Sequence, residues 1–377
     1  RAGGLVRRRG RAGGLVRRWG RAAWRVRRRG RAGGLVRRWG RAVWFAVRVA
    51  LVGPVCLGGV TCKRGEPVRT VVVYCSVDEA FAREVLDRFE HKSQITVSAV
   101  FDSEAGKTTG LVRRIEHETD RPRADVFWSS ELFNTILLAR SGLLAAYDPP
   151  AAADIPARYK DAGHRWTGMA VRARVIAFDP ERIGDVPIPV RWQDLARPDI
   201  AKHVAIANPL FGTTRGHIAA MVAVWGVDAT RKFLTDLRDG GAIVTDGNSA
   251  AVRAVIAGRA VIAATDTDDV WVARRHGASL DLRYPEMGDG GTLVVPCSVA
   301  VIRGGPHPDT ARALANFLVS AEVERMLAES TARHIPVRAA LCETLGLKPP
   351  PASSVSFDAV ADAMDEAVRA VRDILIR

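Results

Sequence analysis

Cysteine is scarce in this 377-residue chain. The five present (Cys56, Cys62, Cys75, Cys297 and Cys342) are too few and too scattered for a disulfide framework, and no CxxC or Cys/His spacing suggests a zinc site. Packing is the ordinary role for Cys75, Cys297 and Cys342. Also missing are a G-x-S-x-G elbow, an H-E-x-x-H pair, a P-loop and a glycine-rich dinucleotide fingerprint after a strand. The eight histidines stand singly, with no spacing that builds an acid/base or metal pair. These absences argue against an enzyme and against a covalently held cofactor.

Acidic residues are absent from the first forty positions, which carry 15 Arg in four decapeptides, the first of them RAGGLVRRRG. The formal charge of +15 resides there entirely, because the remaining 41 basic residues are matched by 41 acidic ones. A balanced body offers no basic face for phosphates, so the chain is expected to have no nucleic-acid partner. A ten-residue, Gly-rich, like-charged repeat fits neither helical nor coiled-coil spacing, and 1–40 is expected to be disordered.

No apolar run spans a bilayer comfortably. From Val43 to Thr61 only Arg48 is charged, and the run after it has the length of a signal-peptide core. It ends LGGVTC, similar to a lipoprotein cleavage site with Cys62 as the lipidated residue. Residues 41–62 are therefore expected to export the chain or anchor it to a membrane face.

The chain is 47% hydrophobic overall, enough for two cores. TVVVYCS (70–76), ITVSAVF and ADVFWSS (124–130) read as strands, separated by helical patterns at 79–93 and about 104–118. ELFNTILLARSG comes next as a helix stopped by Gly142. A second unit of the same kind runs through HVAIANP (203–209), AIVT (242–245) and AVIAATD (260–266), with helices from GTTRGHIAAMVAVWG and GNSAAVRAVIAG. Long β-rich stretches at 167–179 and 290–304 link the two. The expected fold is α/β, a two-lobed clamshell with hinge strands: 63–170 and 296–377 form the first lobe, 171–295 the second. Loops at the C-terminal ends of parallel strands form the default ligand crevice.

These segments resemble bacterial periplasmic solute-binding proteins of the ferric-ion-binding type, a branch of the type 2 clamshell receptors of ABC importers. The resemblance covers nearly all of 70–338 and is carried by VVVYCSVDEAFAREVLDRFE, FDSEAGKTTGLVRRI, ADVFWSSEL, WTGMAVRARVIAFDPERI, VAIANPLFGTTRGHIAAM, GNSAAVRAVIAGRAVIAATDTDD and GTLVVPCSVAVIRGGPHPDTAR. It implies a monomeric periplasmic or outer-face protein that closes over a small ion or small molecule and docks on a permease. Fe(III) held with a synergistic anion would be the transported ligand.

The candidate ligand residues lie where the pattern predicts cleft-facing loops. Ser76 and Asp78 follow the first strand; Asp78 stands where the resembled family has a His ligand, and it could also cap the next helix. Thr108 belongs to a polar helix start suited to anions. Ser130 and Glu131 follow the third strand, where the family places a Glu ligand, although Glu131 could equally serve the helix dipole. Thr213, Thr214 and Asn248 sit at helix starts in the second unit, and Arg172 or Arg174 could supply a countercharge.

The resembled family's Tyr pair is replaced by Asp266, Thr267, Asp268 and Asp269. Carboxylates are hard oxygen donors, so Asp78, Glu131, Asp266 and Asp268 are metal-ligand candidates for ferric iron. The same residues would suit an aminoalkylphosphonate, its anion at Thr213 and Asn248 and its ammonium among the acids. A ligand-sensing receptor that does not transport is the rival of another class.

Overall fold

The structure is a computed structural model that describes residues 69–102 and 108–376. The Arg-rich repeat, the apolar stretch at 43–61, Cys62 and residues 103–107 lie outside the described residues. Among those described, no helix is long and apolar enough to cross a membrane.

The β-branched run TVVVYC forms β1 (Thr70–Cys75), with Val71, Val73, Tyr74 and Cys75 buried. α1 (Glu79–Ser93) comes next and buries Ala82, Val85, Leu86 and Phe89, one stripe at helical spacing. It stops at Gln94, which takes the left-handed conformation. β2 (Thr96–Phe101), α2 (Thr109–His117), β3 (Val126–Ser129) and α3 (Phe133–Arg140) complete the first repeat of strand and helix. β1 pairs in parallel with both β2 and β3.

β5 (Thr167–Phe178) comes after the short β4 (Leu144–Ala145) and is buried along its whole length. The second repeat then runs through β6 (Val204–Ala207), α4 (Gly212–Trp225), α5 (Val227–Asp239), β7 (Ile243–Thr245), α6 (Asn248–Ile256) and β8 (Ile262–Asp266). β6 is parallel to β7 and β8. α7 (Thr267–Arg275) and β9 (Asp281–Arg283) precede β10 (Val294–Ile302).

The strands are ordered β2-β1-β3-β10-β5-β8-β6-β7, with β4 on β10 and β9 on β5. β5 belongs to both halves. Its first half pairs antiparallel with β10, from Thr167 to Ala173, and its second half pairs antiparallel with β8, from Arg174 to Phe178. The partner changes between Ala173 and Arg174. β10 in turn lies antiparallel to β3, so two strands carry the chain between two sets of three parallel strands, β2-β1-β3 and β8-β6-β7. A register shift at Pro296/Cys297 falls opposite Ala170, whose φ of 42° marks the bulge. The Glu324 carboxylate accepts the Ala170 N–H at 2.8 Å there.

Helices α8 (Pro308–Leu318), α9 (Ala321–Glu329), α10 (Ala339–Thr344), α11 (Phe357–Asp362) and α12 (Met364–Ile374) close the chain. The expected grouping of 296–377 with the first lobe meets a departure at its end. α12 packs on α4 and α5, while α11 touches both α3 and α4. Arg231 pairs with Asp373, and Arg140 with Asp358 and Asp362, so the last helices tie elements of both halves together. The amphipathic pattern of α12 buries Met364, Ala367, Ala370, Val371 and Ile374, and the faces of α4 and α5 cover them.

Candidate functional site

At the C-terminal end of β8 the chain turns directly into α7, so Asp266, Asp268 and Asp269 arrive together at one helix start. A carboxylate oxygen from each lies within 4.8 Å of the others. Thr267, between them, accepts the backbone N–H of Ala173 through its hydroxyl at 3.1 Å, which pins the helix start to the middle of β5.

Two buried arginines point from β5 into this region. Arg174 is fully buried and donates through Nη1 to Asp266 Oδ1 at 2.8 Å and to Asn248 Oδ1 at 3.1 Å. Its Nε reaches His217 Nδ1 at 3.3 Å. Burial, then the neighbouring Arg174 charge, holds the His217 pKa well below the ordinary histidine range, so the ring is neutral and its Nδ1 can accept. Asp266 is further held by the Thr213 hydroxyl and by Asn248 Nδ2 at 2.9 Å. Asn248 accepts from Thr214 at 3.0 Å. The second-lobe wall is thus one network of Arg174, Asp266, Thr213, Thr214 and Asn248.

Arg172 makes the second pair, its Nη1 lying 3.1 Å from Asp268 Oδ2. Its Nη2 donates to His334 Nε2 at 3.0 Å and lies 3.4 Å from Cys297 Sγ. Burial disfavours the Arg172 charge, but Asp268 and the surrounding acids more than offset it, and the guanidinium pKa is raised. The thiol of Cys297 is pushed up by burial and stays protonated.

Asp78, Arg172, Thr213, Thr214, Asn248, Asp266 and Asp268 line a single cavity of about 30 Å³, together with Asp246 and Asp269. Five aspartates against one arginine in the lining give it a negative field that favours a cation. Asp78 occupies the N-cap position of α1 yet makes no capping hydrogen bond through its side chain. Its carboxylate faces the cavity from the first lobe.

Four expected site residues do not line this cavity. Ser76, Thr108 and Ser130 form a buried hydroxyl cluster at the ends of β1 and β3, with Thr108 Oγ1 3.1 Å from Ser76 Oγ and Ser76 Oγ 3.3 Å from Ser130 Oγ. Their hydroxyls satisfy one another and the Ser130 N–H. Glu131, expected as a metal ligand, is turned into the first turn of α3. It accepts from Phe133 N at 2.7 Å and from Asn134 Nδ2 at 2.8 Å. Orphan helix-start donors took the carboxylate, and burial raises its pKa.

Sequence reasoning missed His334 and Asp269, and offered Arg174 only as an alternative to Arg172. His334 reaches Arg172 from 162 positions away, a separation for which local pattern holds no signal. Asp269 was legible as the third acid of ATDTDD, since it comes directly after Asp268 in the first turn of α7.

Two sets of three parallel strands joined by antiparallel crossing strands, with a polar cavity at strand ends between them, define a two-lobed, type 2 clamshell binding protein. A family model described as bacterial extracellular solute-binding protein matches residues 122–357, and the chain belongs to that family. It is 30% identical over 224 residues, 56% of this chain and 60% of the relative, to a probable ABC transporter periplasmic-binding protein, y4fP, of Sinorhizobium fredii. It is 26% identical over 288 residues, 74% of this chain and 84% of the relative, to the major ferric iron-binding protein of Neisseria meningitidis serogroup B. The crystal structure of iron-bound HitA from Pseudomonas aeruginosa superposes with a TM-score of 0.72 at 24% identity, over 81% of this chain and 99% of that one.

Proposed function

We propose that this chain is the extracytoplasmic substrate-binding component of a bacterial ABC importer, capturing ferric iron or a related small ion in the cavity between Asp78 and α7. The observation that carries the reading is the convergence of Asp78, from the first lobe, with Asp268 and Asp269, from the second, on one negatively charged cavity. Hard carboxylate oxygens suit a trivalent cation. Asp78, Asp268 and Asp269 are the ligands of this reading, Asp268 exchanging its Arg172 partner for the ion, with a synergistic anion completing the shell. The ion is cargo, and the chain performs no catalysis.

A ligand touching both lobes favours the closed arrangement because it gains contacts there that the open one lacks. The lobes so defined divide within β5 near Arg172–Arg174 and return through β10. The partner is a permease in the inner membrane, the chain acts as a monomer, and it works in the periplasm or at the outer membrane face, tethered through Cys62. The names of the relatives support the periplasmic part of this placement.

A second reading rests on the starts of α4 and α6, where Thr213 and Asn248 meet the Arg174 guanidinium and Thr214 donates to Asn248. That wall suits the anionic end of an aminoalkylphosphonate, with the ammonium among the aspartates. Thermal unfolding of the metal-free protein with ferric nitrilotriacetate and with 2-aminoethylphosphonate separates the two. A ligand at 100 times its Kd stabilises by about 2.7 kcal/mol. Iron alone is expected to raise the midpoint; a shift with the phosphonate alone replaces iron as the cargo, and no shift with either removes both.

A further inference from the structure

The carboxylates of Asp78, Asp268 and Asp269 border two spaces at once. On one side is the small polar cavity of about 30 Å³. On the other is a larger chamber of about 430 Å³, whose remaining wall is mostly hydrocarbon: Phe81 from the start of α1, Val252 and Ile256 from α6, and Val272 from α7. Ile256 is 42% exposed, so apolar surface stands in water beside a group of aspartates. A bare hydrated ion gains nothing from that wall. A guest carrying hydrocarbon gains in proportion to the area it covers.

We infer that this chamber is a binding subsite for the carbon body of a small organic ammonium ion whose charged head sits at Asp78, Asp268 and Asp269. The inference rests on the reading of the adjoining cavity as the solute site, and names a second class of guest that competes with the ferric ion for the same carboxylates. Charge complementarity sets the orientation. Of the lining charges, Asp268, paired with Arg172, is buried and Asp78 and Asp269 are partly so, whereas Arg253 and His276 are exposed, so an ammonium is drawn inward and its apolar part is left along α6 and α7. The volume is that of a small-molecule pocket, and Phe81 closes it from the first lobe, edge-on to His334 at 6.3 Å between ring centroids. Occupation would therefore engage both lobes through hydrocarbon as well as through charge.

The test is calorimetric titration of the purified chain with methyl-, butyl- and hexylammonium chloride, alongside ferric nitrilotriacetate. Affinity is expected to climb with chain length, by about fourfold per fully buried methylene. Ile256→Ser, at a half-exposed position that leaves the core intact, should weaken hexylammonium about fivefold and leave methylammonium unchanged. Asp269→Asn should weaken every member of the series. Equal affinity along the series, no binding of any member, or indifference to both substitutions overturns the subsite. If ferric nitrilotriacetate still binds in that case, only the subsite fails; if it too is inert, the solute-site reading falls with it.

Discussion

Arg174 and Asp266 face each other across the seam between β5 and β8, their guanidinium and carboxylate 2.8 Å apart and both removed from water. The register pairs these two residues directly, Arg174 opposite Asp266. The ion pair is therefore the last rung of the second sheet before β5 changes partners.

Removing one member of such a pair leaves the other charged and desolvated. Arg174→Met should destabilise the protein by about 3–5 kcal/mol, read from urea unfolding. The double variant Arg174→Met, Asp266→Leu should recover a large part of that loss. A single-variant cost under about 1 kcal/mol would mean that water reaches the pair.

Asp78 is the first lobe's contribution to the cavity and holds no helix cap through its side chain. Asp78→Asn should therefore weaken ferric binding by about tenfold to a hundredfold, the loss expected for one charged contact. Unchanged affinity in a competition titration would put the cation elsewhere.

Glu131 behaves differently because its carboxylate is buried at the start of α3. Its pKa is raised above the ordinary 4.5 by burial. The folded state thus holds the proton more tightly than the unfolded chain. That contribution to stability is complete below pH 4.5 and is lost as pH rises through the raised value. Glu131→Gln removes this dependence. Its stability relative to the parent should improve as pH increases from 4.5, while ferric affinity is unaffected. A difference independent of pH would show the carboxylate to be ionised at no cost in the fold.

Gly216, on α4, meets the ring of Phe133 on α3. A Cβ there would overlap Phe133 Cδ2 and Cε2. Helix propensity alone favours alanine over glycine by about 1 kcal/mol, but overpacking costs about 1–3 kcal/mol. Gly216→Ala should be destabilising, and Phe133→Leu in the same chain should relieve it. A more stable Gly216→Ala protein would mean that α3 and α4 separate readily.

The strands and their order of appearance were legible because β-branched runs such as TVVVYC and VAIA are short, apolar and bounded by turn residues. The cleft-facing loops could be placed from parallel topology, and Asp78, Asp268, Thr213, Thr214 and Asn248 meet as that topology requires. Side-chain direction was not legible. Glu131 and Asp78 both lie in a turn between a strand and its helix, yet one serves α3 and the other the cavity. Their chemistry alone does not decide which donors are nearest. Arg174 hid for another reason: on a strand buried from end to end, an arginine reads as an exposed alternate unless its partners are known. The position of α12 depends on which hydrophobic face remains uncovered after both sheets form, which is a property of the assembled fold.

Arg172 and Arg174 are two residues apart on one strand, so they project from the same side of it about 7 Å from each other. One is fastened to Asp268 and His334, the other to Asp266, Asn248 and His217. The backbone between them is where β5 trades β10 for β8. Any change of angle between the two halves at that joint would re-aim the cationic groups themselves, because the change of strand partner and the two guanidinium anchors share the same three residues.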